Sequence, residues 1–197
     1  MIPKTSLLII SSKPKVIHYD PPWQFAVWTL NAGYRYVTRV DRLFEMHDYE
    51  WRKTVESLPT AYTEEYPHLK VPIYMLDHYD EIPPSVKYPW GLIRNWTFEI
   101  AKRSPENLFA STASYMIALA LWEGWKHIQV QDFNEMVPSV AQNLSMWYGI
   151  AWGMGVDLSV VGDTFMSSEY LYGYEESRYL PERGTWDTGE PVIRKEI

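Results

Sequence analysis

Two short stretches carry the side chains best suited to chemistry. "MHD" (46 to 48) and "LDHYD" (76 to 80) place His47 and His78 among the carboxylates Asp48, Asp77 and Asp80. Each follows an apolar run that reads as a strand. Two imidazoles and several carboxylates from neighbouring strand ends can serve as general acid or base, or ligate a divalent cation. The plainer possibility is a solvated loop, with Asp77 capping a turn and His47 bonded locally. No fixed ligand spacing links these residues, so no metal is expected. His47, His78 and Asp77 are the candidate catalytic residues.

A second set could hold an anion or a polar ligand. "STAS" (111 to 114) opens a helix with small hydroxylated residues, and a turn leading into a helix beside a strand end is where α/β proteins bind anions. Ser111 and Thr112 are therefore candidates, and one of the two is also expected to cap the helix through its side chain. "SSKPK" (11 to 15) follows the first apolar run, where nucleotide-binding folds place a glycine-rich phosphate loop. It contains no glycine, so Ser12 and Lys13 would have to meet an anion through their side chains. Asn31, Asp132 and Asn134 complete the set, each at the end of an expected strand.

The elements that must position these groups are read from periodicity. "SLLIIS" (6 to 11), "QFAVWTLN" (24 to 31), "DRLFEMH" (41 to 47) and "KVPIYML" (70 to 76) are strands, and the prolines of "DHYDEIPP" make the next segment a loop. Ala113, Met116, Ile117, Ala120 and Leu121 recur on one helical face, and Gly124 stops that helix. "HIQVQD" (127 to 132) is a strand. Pro138 then starts a helix with the stripe Val140, Leu144, Trp147, Ala151 and Met154. Gly155 ends it before "VDLSVVG" (156 to 162). Two successive helix–Gly–strand units after several strands imply crossover connections. The expected fold is α/β: one three-layer Rossmann-like domain (1–172) with a mainly parallel sheet of about five or six strands. Residues 173–197 have no sustained period and read as an extended C-terminal arm that docks on another surface, so a homo-oligomer or larger assembly is expected.

Composition narrows the class. With 197 residues, 46% hydrophobic and 22% charged, the chain is globular and suits one domain. A net charge of −7, with no basic cluster, argues against nucleic acid as partner. There are no cysteines, which excludes disulfides, thiolate catalysis and Cys-based zinc sites. No segment reads as a membrane span or signal peptide, so a cytoplasmic protein is expected. Ten Trp and fifteen Tyr are the compositional anomaly; such residues fill cores, form interfaces and stack on bases or sugars, and most of them are expected to be core.

"VWTLNAGYRYVTRVDRLFEMHD" followed by "STASYMIALALWEGWKHIQV" resembles a group of Rossmann-like phage and bacterial proteins. It is similar to lipooligosaccharide sialyltransferases and to pterin diphosphokinase-like, motility-associated glycosyltransferase-like proteins. The resemblance covers roughly residues 6 to 136. It implies that Asn31 contacts a nucleotide, that Ser111, Thr112 and Ala113 form the hydroxyl-rich turn beside it, and that Tyr115 and Met116 match the helix start. The family's glycine turn is here Ser11-Ser12-Lys13-Pro14-Lys15, which keeps the proline alone. Its G-x-D is here Asp132-Phe133-Asn134. The implied partner is a nucleotide or nucleotide sugar and the implied activity glycosyltransferase-like, with no cofactor. The alternative is a non-catalytic phage structural or assembly component, located in the virion, that uses the fold and the arm for protein contacts.

Overall fold

The computed structural model describes residues 6–14, 18–54, 64–102, 108–133 and 138–161. All belong to one compact unit, Met1–Asp163. The expected arm, 173–197, lies outside the described residues, as does Asn134.

Seven strands form one sheet: β1 (Ser6–Ile10), β2 (Ala26–Leu30), β3 (Arg42–Glu45), β4 (Ile73–Met75), β5 (Ser85–Lys87), β6 (His127–Gln131) and β7 (Asp157–Val161). Their order is β5-β4-β3-β2-β1-β6-β7, and every pair is parallel. The chain starts in the centre, steps outward through β5, and then crosses back to lay β6 against the other side of β1. The gap between the carboxyl ends of β1 and its two neighbours is therefore the switch point of the sheet, where ligands of open α/β folds bind. The α/β, mainly parallel expectation holds, and the sheet has one strand more than the largest number expected. The extra strand, β5, is three residues long and follows two prolines, too short to show a period.

Among the described residues four α-helices accompany the sheet: α1 (Tyr49–Thr54), α2 (Trp90–Ala101), α3 (Thr112–Glu123) and α4 (Pro138–Gly153). Gly124 and Gly155 follow α3 and α4 at φ +83° and +73°, the left-handed conformation that glycine tolerates best. Both stops were legible in the sequence. Two features of the helical stripes differ from expectation. α3 is buried nearly all round, with Ser114, Ala118 and Leu119 as enclosed as the expected face, because α2 and α4 flank it while it packs on β2 and β3. In α4 Leu144, Trp147 and Ala151 are buried, but Met154 falls beyond the helix end and is exposed. α2 escapes the sequence pattern altogether, since only Ile93 and Thr97 of its twelve residues are buried.

Alternation along the strands divides the core in two. On one face Trp28, Phe44 and Tyr74 pack ring against ring, and Arg42 lies over Trp28 and Tyr74 while pairing with Glu123 of α3. On the other face Leu43, Tyr49, Tyr66, Ile73, Met75 and Ile82 form a cluster. Glu45 shares Leu43's side of β3, so its carboxylate enters this apolar face at the carboxyl end of the strand. That placement sets up the site.

Candidate functional site

Each parallel strand delivers its last residues to the same edge. Ser11, Asn31, Glu45 and Gln131 end or follow β1, β2, β3 and β6, and the register aligns Ile10 with both Thr29 and Gln131. α3 runs back toward the start of β6, so its first turn with Ser111 and Thr112 stands at this carboxyl edge. Its twelve residues span about 18 Å, close to the length of a strand.

Asn31 begins a tight 3-10 turn, Asn31–Arg35. Its φ of +49° is left-handed, a conformation that a short polar side chain tolerates better than most. Its side-chain Oδ1 is buried and has no hydrogen-bond partner among the described residues. A buried acceptor without a donor costs on the order of 1–3 kcal/mol.

The same turn answers the missing glycines of "SSKPK". A Cβ on Gly33 would stand 2.1 Å from Thr29 Oγ1 and 2.8 Å from the Ser11 carbonyl oxygen. The glycine required for close backbone approach is thus on the turn after β2 and faces the loop after β1. In that loop Ser11 is buried, Lys13 is exposed, and the Lys13 amide donates to Ser11 Oγ at 3.3 Å. Ser11's own amide donates to the Gln131 carbonyl at 3.1 Å, which fixes the loop to β6. Next to it Asp132 is buried at φ +62°, accepting from Gln131 Nε2 at 3.3 Å.

Glu45 is the residue that the sequence reading passed over. It is 2% exposed. One carboxylate oxygen accepts from His47 Nδ1 and from the His47 amide at 3.3 Å; the other accepts from the Tyr66 hydroxyl at 3.2 Å. The same hydroxyl lies 3.4 Å from the Asn31 carbonyl oxygen, so Tyr66 links the two strand ends. Tyr66 is held in turn by its neighbour Glu65. Arg35 pairs with both oxygens of that carboxylate, and the Tyr34 hydroxyl donates to it. The Arg35 hydrogen bonds hold the Glu65 carboxyl below the usual range, while burial first, then Glu65, pushes the Tyr34 hydroxyl up. The Asn31 turn and the Tyr66 segment are clamped together on both sides.

The second histidine is placed differently. His78 Nδ1 meets the Ser85 carbonyl at 2.8 Å and Ser85 Oγ at 3.0 Å, and Ser85 Oγ accepts from the Tyr79 amide. Asp77 accepts from the His78 amide at 2.9 Å and pairs with Lys87. The backbone bond, followed by Lys87, lowers the Asp77 pKa. These contacts tie the β4–β5 loop to itself.

The hydroxyl-rich turn has a structural part and a free part. Ser111 is the N-cap residue by backbone geometry, but neither it nor Thr112 caps the helix through its side chain, contrary to expectation. Ser111 Oγ meets Ser114 Oγ at 3.2 Å, and Ser114 bonds to buried Asn143 of α4, which also accepts from the Ala110 amide at 3.3 Å. The turn is braced from the α4 side. Beside it Trp90, Phe109 and Tyr115 pack together with centroids 4.8 to 5.8 Å apart, Trp90 and Phe109 edge to face and Tyr115 tilted against both. Among the described residues no group of three or more His, Asp or Glu stands together as a metal site, and no helix is long and apolar enough to cross a membrane.

No protein-family model and no curated protein matches the chain. Among solved structures, the chain is similar to the sialyltransferase CstII from Campylobacter jejuni, determined in complex with the substrate analogue cytidine-5'-monophosphate. The two share 15% sequence identity over 79% of each chain, with a TM-score of 0.51. At that identity the likeness is one of fold. This chain has the Rossmann-like fold of that glycosyltransferase.

Proposed function

We propose that this chain binds a nucleotide or nucleotide sugar in the crevice above β1, β2 and β3 and that it acts as a glycosyltransferase-like enzyme. The observation that carries the reading is Asn31: a left-handed residue at the switch point whose buried Oδ1 has no partner among the described residues. An orphan acceptor recognises a donor, such as a ribose hydroxyl or an exocyclic base amine. Ser12 and Lys13 are then beside the phosphate, and Ser111, Thr112 and the uncapped first turn of α3 offer further donors from the facing side. Asp132 borders the same crevice, and Asn134 follows it in sequence. The nucleoside monophosphate bound by the neighbour of similar fold is the natural first probe.

In the transfer, His47 serves as general base. An acceptor hydroxyl gives its proton to His47 Nε2 as its oxygen bonds to the anomeric carbon of the donor sugar. The bond from that carbon to the nucleotide phosphate oxygen breaks, and its electron pair leaves on the phosphate. His78 and Asp77, engaged with Ser85 and Lys87, are assigned to closing the β4–β5 loop rather than to proton transfer. No metal or other cofactor has a part in this scheme. Self-association through residues 173–197 stays a proposal; deletion of 174–197 should lower the oligomeric mass seen by light scattering.

A thermal-shift screen of nucleoside monophosphates and nucleotide sugars tests the binding. A ligand at a hundred times its Kd adds about 2.7 kcal/mol, on the order of 5 °C for a domain of this size. No shift with any nucleotide would end the proposal.

A further inference from the structure

We infer that Glu45 is a positioning residue: its buried carboxylate accepts from His47 Nδ1–H, which selects that tautomer and leaves Nε2 as the ring's basic atom. The inference rests on the reading of His47 as the proton acceptor, but the geometry behind it is independent of any ligand. Glu45 is 2% exposed, on an apolar face among Leu43, Tyr66 and Met75. A carboxylate in such a place is costly unless every lone pair is used. Here three donors converge on it: the ring Nδ1–H and the backbone N–H of His47, and the Tyr66 hydroxyl. If the site only needed filling, a methionine would fill it without desolvating a charge. What the carboxylate adds is a fixed acceptor for one ring nitrogen, which selects the tautomer and the ring plane. Nε2 has no hydrogen-bond partner among the described residues, and the His47 side chain is 36% exposed at the carboxyl edge. Tyr66 extends the control. Its hydroxyl also lies 3.4 Å from the Asn31 carbonyl, so a ligand that settles on Asn31 bears on the residue that holds Glu45.

His78 is the internal contrast. Its Nδ1 is bonded to Ser85, and its Nε2 lies 3.6 Å from the fully exposed Asp80 carboxylate. The His78 ring is oriented by a backbone carbonyl in an exposed loop, whereas the His47 ring is oriented by a buried carboxylate.

The test reads the imidazole nitrogens directly. In protein carrying nitrogen-15 histidine, above the pH at which the rings titrate, long-range proton–nitrogen correlation separates Nδ1–H from Nε2–H rings; H47Q assigns the signal. Wild-type His47 should be the Nδ1–H tautomer. Glu45→Met, similar in volume, should release it toward the Nε2–H form that free imidazole side chains favour. Glu45→Gln, which keeps an acceptor oxygen, should restore the Nδ1–H form at least in part. With a donor that the thermal screen selects, Glu45→Met should lower kcat about tenfold or more and leave KM within twofold. A wild-type ring in the Nε2–H form, or a Glu45→Met ring unchanged from wild type, overturns the inference whatever the activity. A tautomer that shifts as expected in a chain that transfers no sugar upholds the positioning and overturns the transferase reading alone.

Discussion

Two neighbouring strand ends carry the same chemical inventory, a histidine and a carboxylate, and use it in opposite ways. After β3, the carboxylate of Glu45 is buried, three donors point at it, and the ring of His47 keeps one nitrogen free. After β4, the Asp77 and Asp80 carboxylates are exposed, and the ring of His78 is spent on closing its own loop. The first arrangement carries a desolvation cost that only a function or a large network recovers; the second is what any solvated turn can form. Residue type at a strand end says little. Which side of the strand the group points to, and what covers it, decides its chemistry.

The comparison breaks most violently at Gly33. A methyl group there would overlap Thr29 Oγ1 and the Ser11 carbonyl, and the second of these is backbone that cannot swing away. Gly33→Ala should destabilise the protein by about 3 kcal/mol or more, seen as a large fall in melting temperature, and nothing in the β4–β5 loop should have a comparable effect. Asn31→Gly acts in the opposite sense. It keeps the left-handed backbone available and deletes an unsatisfied buried acceptor, so stability should hold or rise by up to about 1 kcal/mol while nucleotide affinity falls. A variant that is more stable and binds worse marks a group retained for a ligand.

Smaller effects belong to the second region. His78→Ala removes one hydrogen bond to a backbone carbonyl and should cost about 1 kcal/mol in denaturant unfolding, with nucleotide binding unchanged. The gentlest probe is acid. The Asp77 carboxyl is lowered by the His78 amide and then by Lys87, so its ionised form is favoured in the folded state. Its contribution is present above the ordinary aspartate value of 3.8 and is lost as pH falls below that toward the folded value. Asp77→Asn should therefore lower stability slightly at neutral pH, where the ionised carboxyl contributes, and converge with wild type as pH falls below about 4.

Much of the scaffold was legible because its signals are local. Gly124 and Gly155 stop two helices at positive φ, and the apolar runs of β1 and β2 announce strands covered on both faces. β5 and α2 were hidden for physical reasons: one is three residues long, and the other buries only two side chains, so neither generates a period. The site divides the same way. Asn31, Ser12 and His47 were legible as candidates because a parallel sheet sends its strand ends to one edge. Glu45 was missed because a carboxylate at a strand end looks solvated until Tyr66, twenty-one residues further along, is laid over it. Gly33 carries no local signal, since its tight contacts, with Thr29 Oγ1 and the Ser11 carbonyl oxygen, are tertiary.

The most direct test of the central claim is where a nucleotide touches the chain. Titration of cytidine-5'-monophosphate into nitrogen-15-labelled protein, followed by backbone amide shifts, reports that residue by residue. The account predicts saturable shifts concentrated at Ser11 to Lys13, Asn31 to Gly33, His47, Thr112 and Asp132, with Asp77 to Ser85 nearly silent. Shifts confined to the exposed faces of α2 and α4, or no saturable shift at millimolar nucleotide, would contradict it.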